Sequence, residues 1–370
     1  MINLGVLTSS RADFGIYEPL LQKLIKEDKI NTQIIAFGTH LSPRYGYSIQ
    51  HILKLPVSVI AQFDTAPTDD SPTAIANSMV LTMQSMISVW EKNKFDLLLC
   101  LGDRYEMFSA VASTLPFNIK VAHIHGGETT LGAIDNALRH SITHMSSLHF
   151  TASEEYKQRV VELTGSSDRV FNTGALSIDN LSTVSFMTKS ELWNQFSIDL
   201  DKPTMLITLH PETIEYANNE QHIKAALKAL EKRKDIQQVI TMPNADTSGL
   251  MIRRLLADYA TGKQNVKLVE NFGSRAYLSM MKHSSFMLGN SSSGFIEAAW
   301  FPKWVINIGN RQKGRIRTPN IVDVPFDETL IDNAISMVLT NKLPEVEQIY
   351  GDGKASERII KHILDEFSTD

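Results

Sequence analysis

Between residues 286 and 300 the chain reads Phe-Met-Leu-Gly-Asn-Ser-Ser-Ser-Gly-Phe-Ile-Glu-Ala-Ala-Trp. Three successive hydroxyls, Ser291, Ser292 and Ser293, follow an apolar run that Gly289 breaks. Residues 286–288 read as the end of a buried strand, and residues 294–300, opened by Gly294, as a helix with small and apolar residues for packing. A helix N-terminus presents unpaired N–H groups and a partial positive charge, which suits phosphate, and the serines add hydroxyl donors. Glu297 lies about one turn into that helix, where a carboxylate can accept both hydroxyls of a ribose. Phosphate donors and a diol acceptor this close together suggest a nucleoside diphosphate. An ordinary capped helix after a strand would carry the same local pattern. A serine-hydrolase elbow would not, because Ser293 stands where the last glycine of G-x-S-x-G belongs.

The chain that must position this stretch has 370 residues, 43% hydrophobic and 21% charged, which is ordinary for a globular protein and long enough for two domains. A net charge of −5 gives no electrostatic reason to expect nucleic acid. The single cysteine, Cys100, sits inside the apolar run 97–101, so no disulfide framework exists and a core role is expected. The start lacks a basic segment followed by a long apolar one, and no apolar run approaches membrane-spanning length. The expectation is a soluble, cytoplasmic protein.

Short apolar segments alternate with helical ones. Strands are expected at 2–7, 31–37, 95–101, 120–124, 148–152 and 170–173, and again at 203–209, 238–242, 266–269, 286–288 and 304–307. Helices fall between them, and two more close the chain near 328–340 and 355–367. The near-continuous apolar strands indicate an open, mostly parallel α/β sheet, and the alternation runs twice. Domains are expected at 1–172 and 173–352, with 353–370 a helix packing back on the first. In such sheets ligands bind beyond the carboxyl ends of the strands. Arg11, Asp103, Arg104, His125, Glu128, His210, Asn244, Ser291 and Arg311 all fall just after strands. Two facing sheets would bring them into one cleft.

Taken together, Arg11-Ala12-Asp13, Gly102-Asp103-Arg104, His123-Ile124-His125-Gly126-Gly127-Glu128, Asp135 with Arg139-His140, His210-Pro211, Gly289-Asn290-Ser291-Ser292, Arg311-Gln312 and Gly351-Asp352-Gly353 resemble the hydrolysing UDP-N-acetylglucosamine 2-epimerases of the sialic-acid-type pathways. The motifs come in that family's order and span nearly the whole chain. The resemblance implies a GT-B fold, two Rossmann-like doubly wound domains facing across a cleft, with the nucleotide sugar between them. It also implies elimination of UDP to a 2-acetamidoglycal and rehydration with inverted C2, giving N-acetylmannosamine and UDP. No cofactor or metal is implied, and the partners are the UDP-sugar, UDP and a second copy of the chain, as dimer or tetramer.

The residue types fit that chemistry. A C2–H with no adjacent carbonyl is a poor acid, so base and leaving-group stabilisation must act together. Arg11 and Arg311 suit the diphosphate as planar donor forks, with Ala12, Arg104, Asn290, Ser291, Ser292 and Gly294 beside it and Glu297 on the ribose. Asn244 and the turn Phe272-Gly273-Ser274 would frame uracil. Asp103, Glu128 and Asp135 supply a base, an acid and a water-positioner, and His210 a donor to phosphate or leaving group. Asp135 also stands where it would cap the helix that follows. His140 and His144, four apart, with His123 and His125 would suit zinc, but H-E-x-x-H is missing and the lone cysteine lies elsewhere.

One position departs from the resemblance. Sialic-acid members carry glutamate where His125 stands, so His125 is either a specificity residue or a proton-transfer group. A related substrate, the UDP-linked 2,4-diacetamido-trideoxyhexose of legionaminic-acid synthesis, would suit that change. A non-hydrolysing 2-epimerase, a GT-B glycosyltransferase and a non-catalytic nucleotide-sugar sensor are the rival readings.

Overall fold

The computed structural model describes residues 1–243 and 246–368. The chain divides into two compact units, Met1–Glu128 with Asp135–Ser182 and the segment from Tyr350 onward, and Thr129–Ile134 with Thr183–Ile349.

The first unit begins with β1 (Ile2–Thr8), α1 (Arg11–Leu24), β2 (Ile30–Ala36), the single turn α2 (Ile49–Ile52), β3 (Ser58–Gln62) and α3 (Pro72–Lys92). It continues with β4 (Leu97–Leu101), α4 (Tyr105–Ala112), β5 (Val121–Ile124), α5 (Asp135–Met145), β6 (Leu148–Thr151), α6 (Glu154–Thr164), β7 (Val170–Asn172) and α7 (Leu176–Thr183). The seven strands form one sheet in the order β3-β2-β1-β4-β5-β6-β7, with every pairing parallel. Parallel strands are covered on both faces, and the strands show it. Leu4 and Val6 join α1 in one core, while Leu7, Leu98 and Cys100 join α3 and α4 in the other. The strand order reverses between β1 and β4, so the carboxyl ends of β1, β4 and β5 frame the place where such sheets bind ligands.

The second unit contains α8 (Lys189–Phe196), β8 (Thr204–Thr208), α9 (Asn219–Glu231), β9 (Gln237–Thr241), α10 (Gly249–Ala260), β10 (Val266–Val269), α11 (Gly273–His283), β11 (Phe286–Gly289), β12 (Val305–Ile308), β13 (Ile321–Val324) and α12 (Glu328–Thr340). Its sheet runs β10-β9-β8-β11-β12-β13, again parallel throughout, with the reversal between β8 and β11. Met205, Ile207, Phe286, Leu288 and Ile306 bury against α9, α10 and α12.

The last helix, α13 (Ala355–Glu366), belongs to the first unit, where Ile359 and Ile363 enter the core beside Leu20, Leu24 and Phe150. Its first turn is fixed from within that unit, because the Asp179 carboxylate accepts the Ala355 and Ser356 amides at 2.8 and 2.7 Å. Asp179 lies on α7, so α7 is held by the first unit, and the unit boundary falls after Ser182 rather than at 172.

The stretch at 292–300 departs from its sequence expectation. A 3₁₀ turn covers Ser292–Gly294, and no α-helix follows. Ile296 N–H reaches back four residues to Ser292, Ala298 five to Ser293 and Trp300 three to Glu297. Three different steps in succession prevent a uniform ladder, so no helix dipole builds up behind the serines.

Candidate active site

In the first unit, β1 delivers residues 9–11 into a turn fixed by Asp13. That carboxylate is buried and accepts the Ser9 amide and hydroxyl at 2.9 and 2.7 Å and the Thr8 hydroxyl at 2.6 Å. Burial alone would raise its pKa, but the neighbouring His40 and the bonds from Thr8 and Ser9 outweigh it and hold the carboxyl below its ordinary value. Ser10 caps α1 and forms a capping box with Asp13, so Arg11 and Ala12 open that helix in a defined direction. His40 is the residue that sequence reasoning missed here. It bridges Thr8 Oγ1 at 2.9 Å and Ser48 Oγ at 2.8 Å.

Beyond β4, Gly102 precedes Asp103. The Gly102 carbonyl accepts from His123 Nε2 at 2.7 Å, and His123 Nδ1 then accepts the Thr143 hydroxyl at 3.1 Å. Burial pushes the His123 pKa down to about 3, so the ring is a neutral spacer between β5 and the Asp103 turn. Asp103 pairs with Arg139, which stands four residues after Asp135 on α5 and so shares its face. Arg139 is buried, and its Nε and Nη1 have no partner among the described residues. It is a site candidate that the i, i+4 spacing from Asp135 could have revealed. Asp135 is itself the first helical residue of α5, half-buried. Arg104, expected on substrate, instead grips the buried Glu106 with both arms of its fork, at 3.1 and 3.0 Å. Two residues of separation at a helix start make that pairing local.

Beyond β5 the chain turns through His125, Gly126 and Gly127 to Glu128. His125 adopts φ +66° and Gly127 φ +79°, where a Cβ would lie 2.4 Å from the Tyr156 carbonyl oxygen. His125 Nδ1 is 2.7 Å from Glu128 Oε1, and both residues are buried.

In the second unit the carboxyl ends of three neighbouring strands are tied together. Asn290, after β11, donates to the His210 carbonyl at 2.9 Å and accepts the His210 amide at 2.7 Å. Its side chain was expected on substrate. The structure commits both ends of that amide to the backbone after β8, so Asn290 fixes His210 instead. The Asn290 carbonyl accepts from Gln312 Nε2 at 2.9 Å and Arg311 Nη1 at 3.3 Å. Buried Glu212 accepts the Asn310 and Arg311 amides at 2.5 and 3.1 Å. Gly289 is irreplaceable in this knot, because at φ +141° a Cβ would sit 2.0 Å from the Thr208 carbonyl oxygen.

A relay of hydroxyls runs toward the serines. Thr241 and Thr208 Oγ1 atoms are 2.8 Å apart, and Thr208 bonds to the Tyr277 hydroxyl. Tyr277 lies 2.6 Å from Ser293 Oγ, which donates to Ser291 Oγ at 3.0 Å. Ser293 spends its proton on Ser291, so Tyr277 is the donor to Ser293. Ser291 also accepts the Ser293 amide at 3.4 Å, and its hydroxyl bonds to the Tyr277 phenol as well. Burial raises the Tyr277 pKa and keeps the relay protonated. Tyr277 was missed in the sequence because a tyrosine on an amphipathic helix reads as core. Glu297 is half-buried on the turn that follows and acts on the Tyr277 phenol by its charge. Of the expected uracil frame, Phe272 turns inward against Phe196 at 4.7 Å between ring centres, while Gly273 is exposed and Ser274 half-buried at the start of α11. Asn244 lies outside the described residues.

Among the described residues no group of three or more His, Cys, Asp and Glu side chains is close enough to hold a metal ion, and no helix is long and apolar enough to cross a membrane.

Comparison with known proteins follows the same lines. The family model described as UDP-N-acetylglucosamine 2-epimerase matches residues 22–364. A Campylobacter jejuni protein named GDP/UDP-N,N'-diacetylbacillosamine 2-epimerase (hydrolyzing) is 38% identical over 324 residues, covering 87% of this chain and 84% of that one. The Escherichia coli polysialic acid biosynthesis protein P7 is 35% identical, covering 92% of this chain and 87% of its own. The crystal structure of UDP-GlcNAc 2-epimerase from Neisseria meningitidis bound to UDP-GlcNAc superposes with TM-score 0.82 at 20% identity, covering 99% of this chain and all of that one. At that identity the likeness speaks for the fold alone, two Rossmann-like domains of the GT-B class.

Proposed function

Since this chain belongs to the UDP-N-acetylglucosamine 2-epimerase family, a sugar-nucleotide 2-epimerase, we propose that it is the hydrolysing kind, converting UDP-N-acetylglucosamine and water into N-acetylmannosamine and UDP. The observation that carries the reading is a division of chemistry. Hydroxyl and amide donors converge on Ser291 beside Arg311 in one unit. Three carboxylates, Asp103, Glu128 and Asp135, follow β4 and β5 or open α5 in the other.

In the proposed reaction a carboxylate of the first unit takes the C2 proton. The C2–H electron pair forms the C1=C2 double bond, and the C1–O bond breaks with its pair leaving on UDP. Ser291, Ser292, Arg11 and Arg311 would hold the charge that develops on the diphosphate, while Glu297 holds the ribose and His210 donates to the leaving oxygen. The C1=C2 pair then takes a proton at C2 from a carboxylic acid on the opposite face, while water bonds through oxygen to C1 and gives its spare proton to a carboxylate, leaving the C1 hydroxyl. The glycal needs no oxidant or electrophilic cofactor, so turnover should survive a strong chelator.

A second substrate reading has its own support. The Campylobacter jejuni relative is named for N,N'-diacetylbacillosamine, so the UDP-linked 2,4-diacetamido-2,4,6-trideoxyglucose would undergo the same elimination and rehydration. Incubating each UDP-sugar in deuterated water separates the readings. Free manno-configured sugar, UDP and deuterium at C2 are expected, with the larger kcat/KM naming the substrate. An intact epimerised nucleotide sugar would mean the non-hydrolysing reaction, and UDP bound with no product a sensor.

The same reading includes a homo-oligomer. On α3, Ala76, Val80, Met83 and Ile87 recur at steps of four, three and four and are all exposed. Asp69 is exposed before the helix, and Lys92 and Lys94 are exposed at its end. An antiparallel second copy would cover the apolar stripe and bring Lys92 and Lys94 toward the partner's copy of Asp69. Sedimentation should give a dimer or larger, and Ile87→Lys should shift it toward monomer. A monomeric wild type would remove this part of the proposal.

A further inference from the structure

His125 is bonded at both ring nitrogens. Nε2 is 3.2 Å from the Leu176 amide nitrogen, and Nδ1 is 2.7 Å from Glu128 Oε1. A backbone N–H only donates, so Nε2 is the acceptor. A neutral imidazole has one acceptor and one donor nitrogen, so the hydrogen lies on Nδ1 and is given to the Glu128 carboxylate. The far anchor does not yield. Leu176 is fully buried and opens α7 inside the first unit's core. The near end is equally constrained, since His125 holds a left-handed φ of +66° that few side chains adopt.

We propose that His125 is a positioning residue, which carries the fixed Leu176 amide to Glu128 and holds that carboxylate in one orientation. The inference rests on the reading of Glu128 as a proton-transfer group. It excludes both roles open in the sequence. Proton uptake at Nε2 would break the Leu176 bond, so the ring does not shuttle protons. Both nitrogens face inward, so it does not choose between sugars. A carboxylate that removes a weakly acidic C2 proton must sit within hydrogen-bond reach of it, and small displacements cost rate steeply.

The two carboxamides test the geometry directly. Asparagine carries its N–H where Nδ1 stood and tolerates left-handed φ, whereas glutamine reaches the Nε2 position and leaves Glu128 without its donor. With the substrate that turns over, His125→Gln should lower kcat about 10–100-fold with KM and UDP affinity within about threefold. His125→Asn should keep kcat within a few-fold, and the ratio of the two UDP-sugars should not change in either. In a Glu128→Gln background, His125→Gln should add little further loss, because nothing remains to be positioned. Abolition by His125→Asn, a changed substrate ratio, or a His125→Gln loss that adds in full to that of Glu128→Gln would each overturn the inference. So would wild-type kcat in His125→Gln beside a dead Glu128→Gln. Near-wild-type turnover in Glu128→Gln itself would instead sink the functional reading on which it rests. Melting temperatures of all variants separate these outcomes from misfolding.

Discussion

The two units are built alike and equipped differently. Both are parallel sheets of the same winding, reversing at β1/β4 and at β8/β11. Beyond those reversals the first unit gathers charge and imidazole: Asp13, Asp103, Glu128, Arg139, His40, His123 and His125, most of them buried. The second gathers hydroxyls, amides and backbone, tied into a knot around Asn290 and a relay ending at Ser291. Buried charges move protons but are costly to hold, so each is pinned by a partner. Hydroxyls and amides bind an anion without titrating. On the proposed reading, one scaffold serves reaction in one copy and recognition in the other.

The comparison breaks most visibly at the carboxylates. Glu128→Gln and Asp135→Asn should lower kcat by about 10²–10⁴-fold, the usual span for general acid–base groups, while calorimetric UDP affinity stays close to wild type. Asp103→Asn should do the same and lower the melting temperature besides, because it strips the ion pair from buried Arg139. Unchanged kcat in all three would remove the first unit from the chemistry.

Acid should also tell the units apart. Burial holds His123 at about 3 and His149 at about 4, both in the first unit. The unfolded chain protonates them near 6.5, so between those values it binds more protons than the folded one. Their stabilising contribution is complete above about pH 6.5 and is lost as pH falls, at up to about 1.4 kcal/mol per pH unit for each ring. Hydrogen exchange at pH 5 should open β5 and β6 before β8 and β11. The reverse order would contradict the assignment.

Recognition should fail more gently. Ser291→Ala removes the hydroxyl at which the relay ends and should weaken UDP by about 1.5–3 kcal/mol, as for a bond to a charged group. Ser292→Ala and Glu297→Gln should fall at or below that range. Tyr277→Phe breaks the relay two steps back and should cost about 0.5–1.5 kcal/mol, with kcat unchanged. Calorimetry that finds all four at wild-type affinity would take UDP away from the second unit.

Composition and periodicity made the winding legible, because buried parallel strands are short apolar runs such as residues 97–101, and the candidate site residues follow their ends. Less visible were β3 and β13. Both are edge strands whose residues are largely half-exposed, with Asp323 interrupting the second, so neither shows a continuous apolar run. The residue types at the site were readable, but their wiring was not. Asn290 and Arg104 stand in motif positions and spend their polar atoms on protein neighbours. Tyr277 and His40 stand outside any motif and join the networks. Hydrogen-bond partners more than sixty residues away leave no spacing to read, as with Asn290 and His210. The helix expected after Ser293 failed for a local reason, since glycine and small residues there accept slipped hydrogen-bond steps as readily as regular ones.

The first unit is assembled from separate lengths of chain, with residues 129–134 and 183–349 committed elsewhere. Its core includes Ile359 and Ile363 of α13, which Asp179 caps. During synthesis from the N-terminus the second unit therefore has its whole sheet available while the first still exposes the apolar groove beside α1. The half that comes off the ribosome first is therefore expected to finish folding last. A nascent chain arrested near residue 349 should bind chaperones through α1 and β6, and release them once α13 emerges.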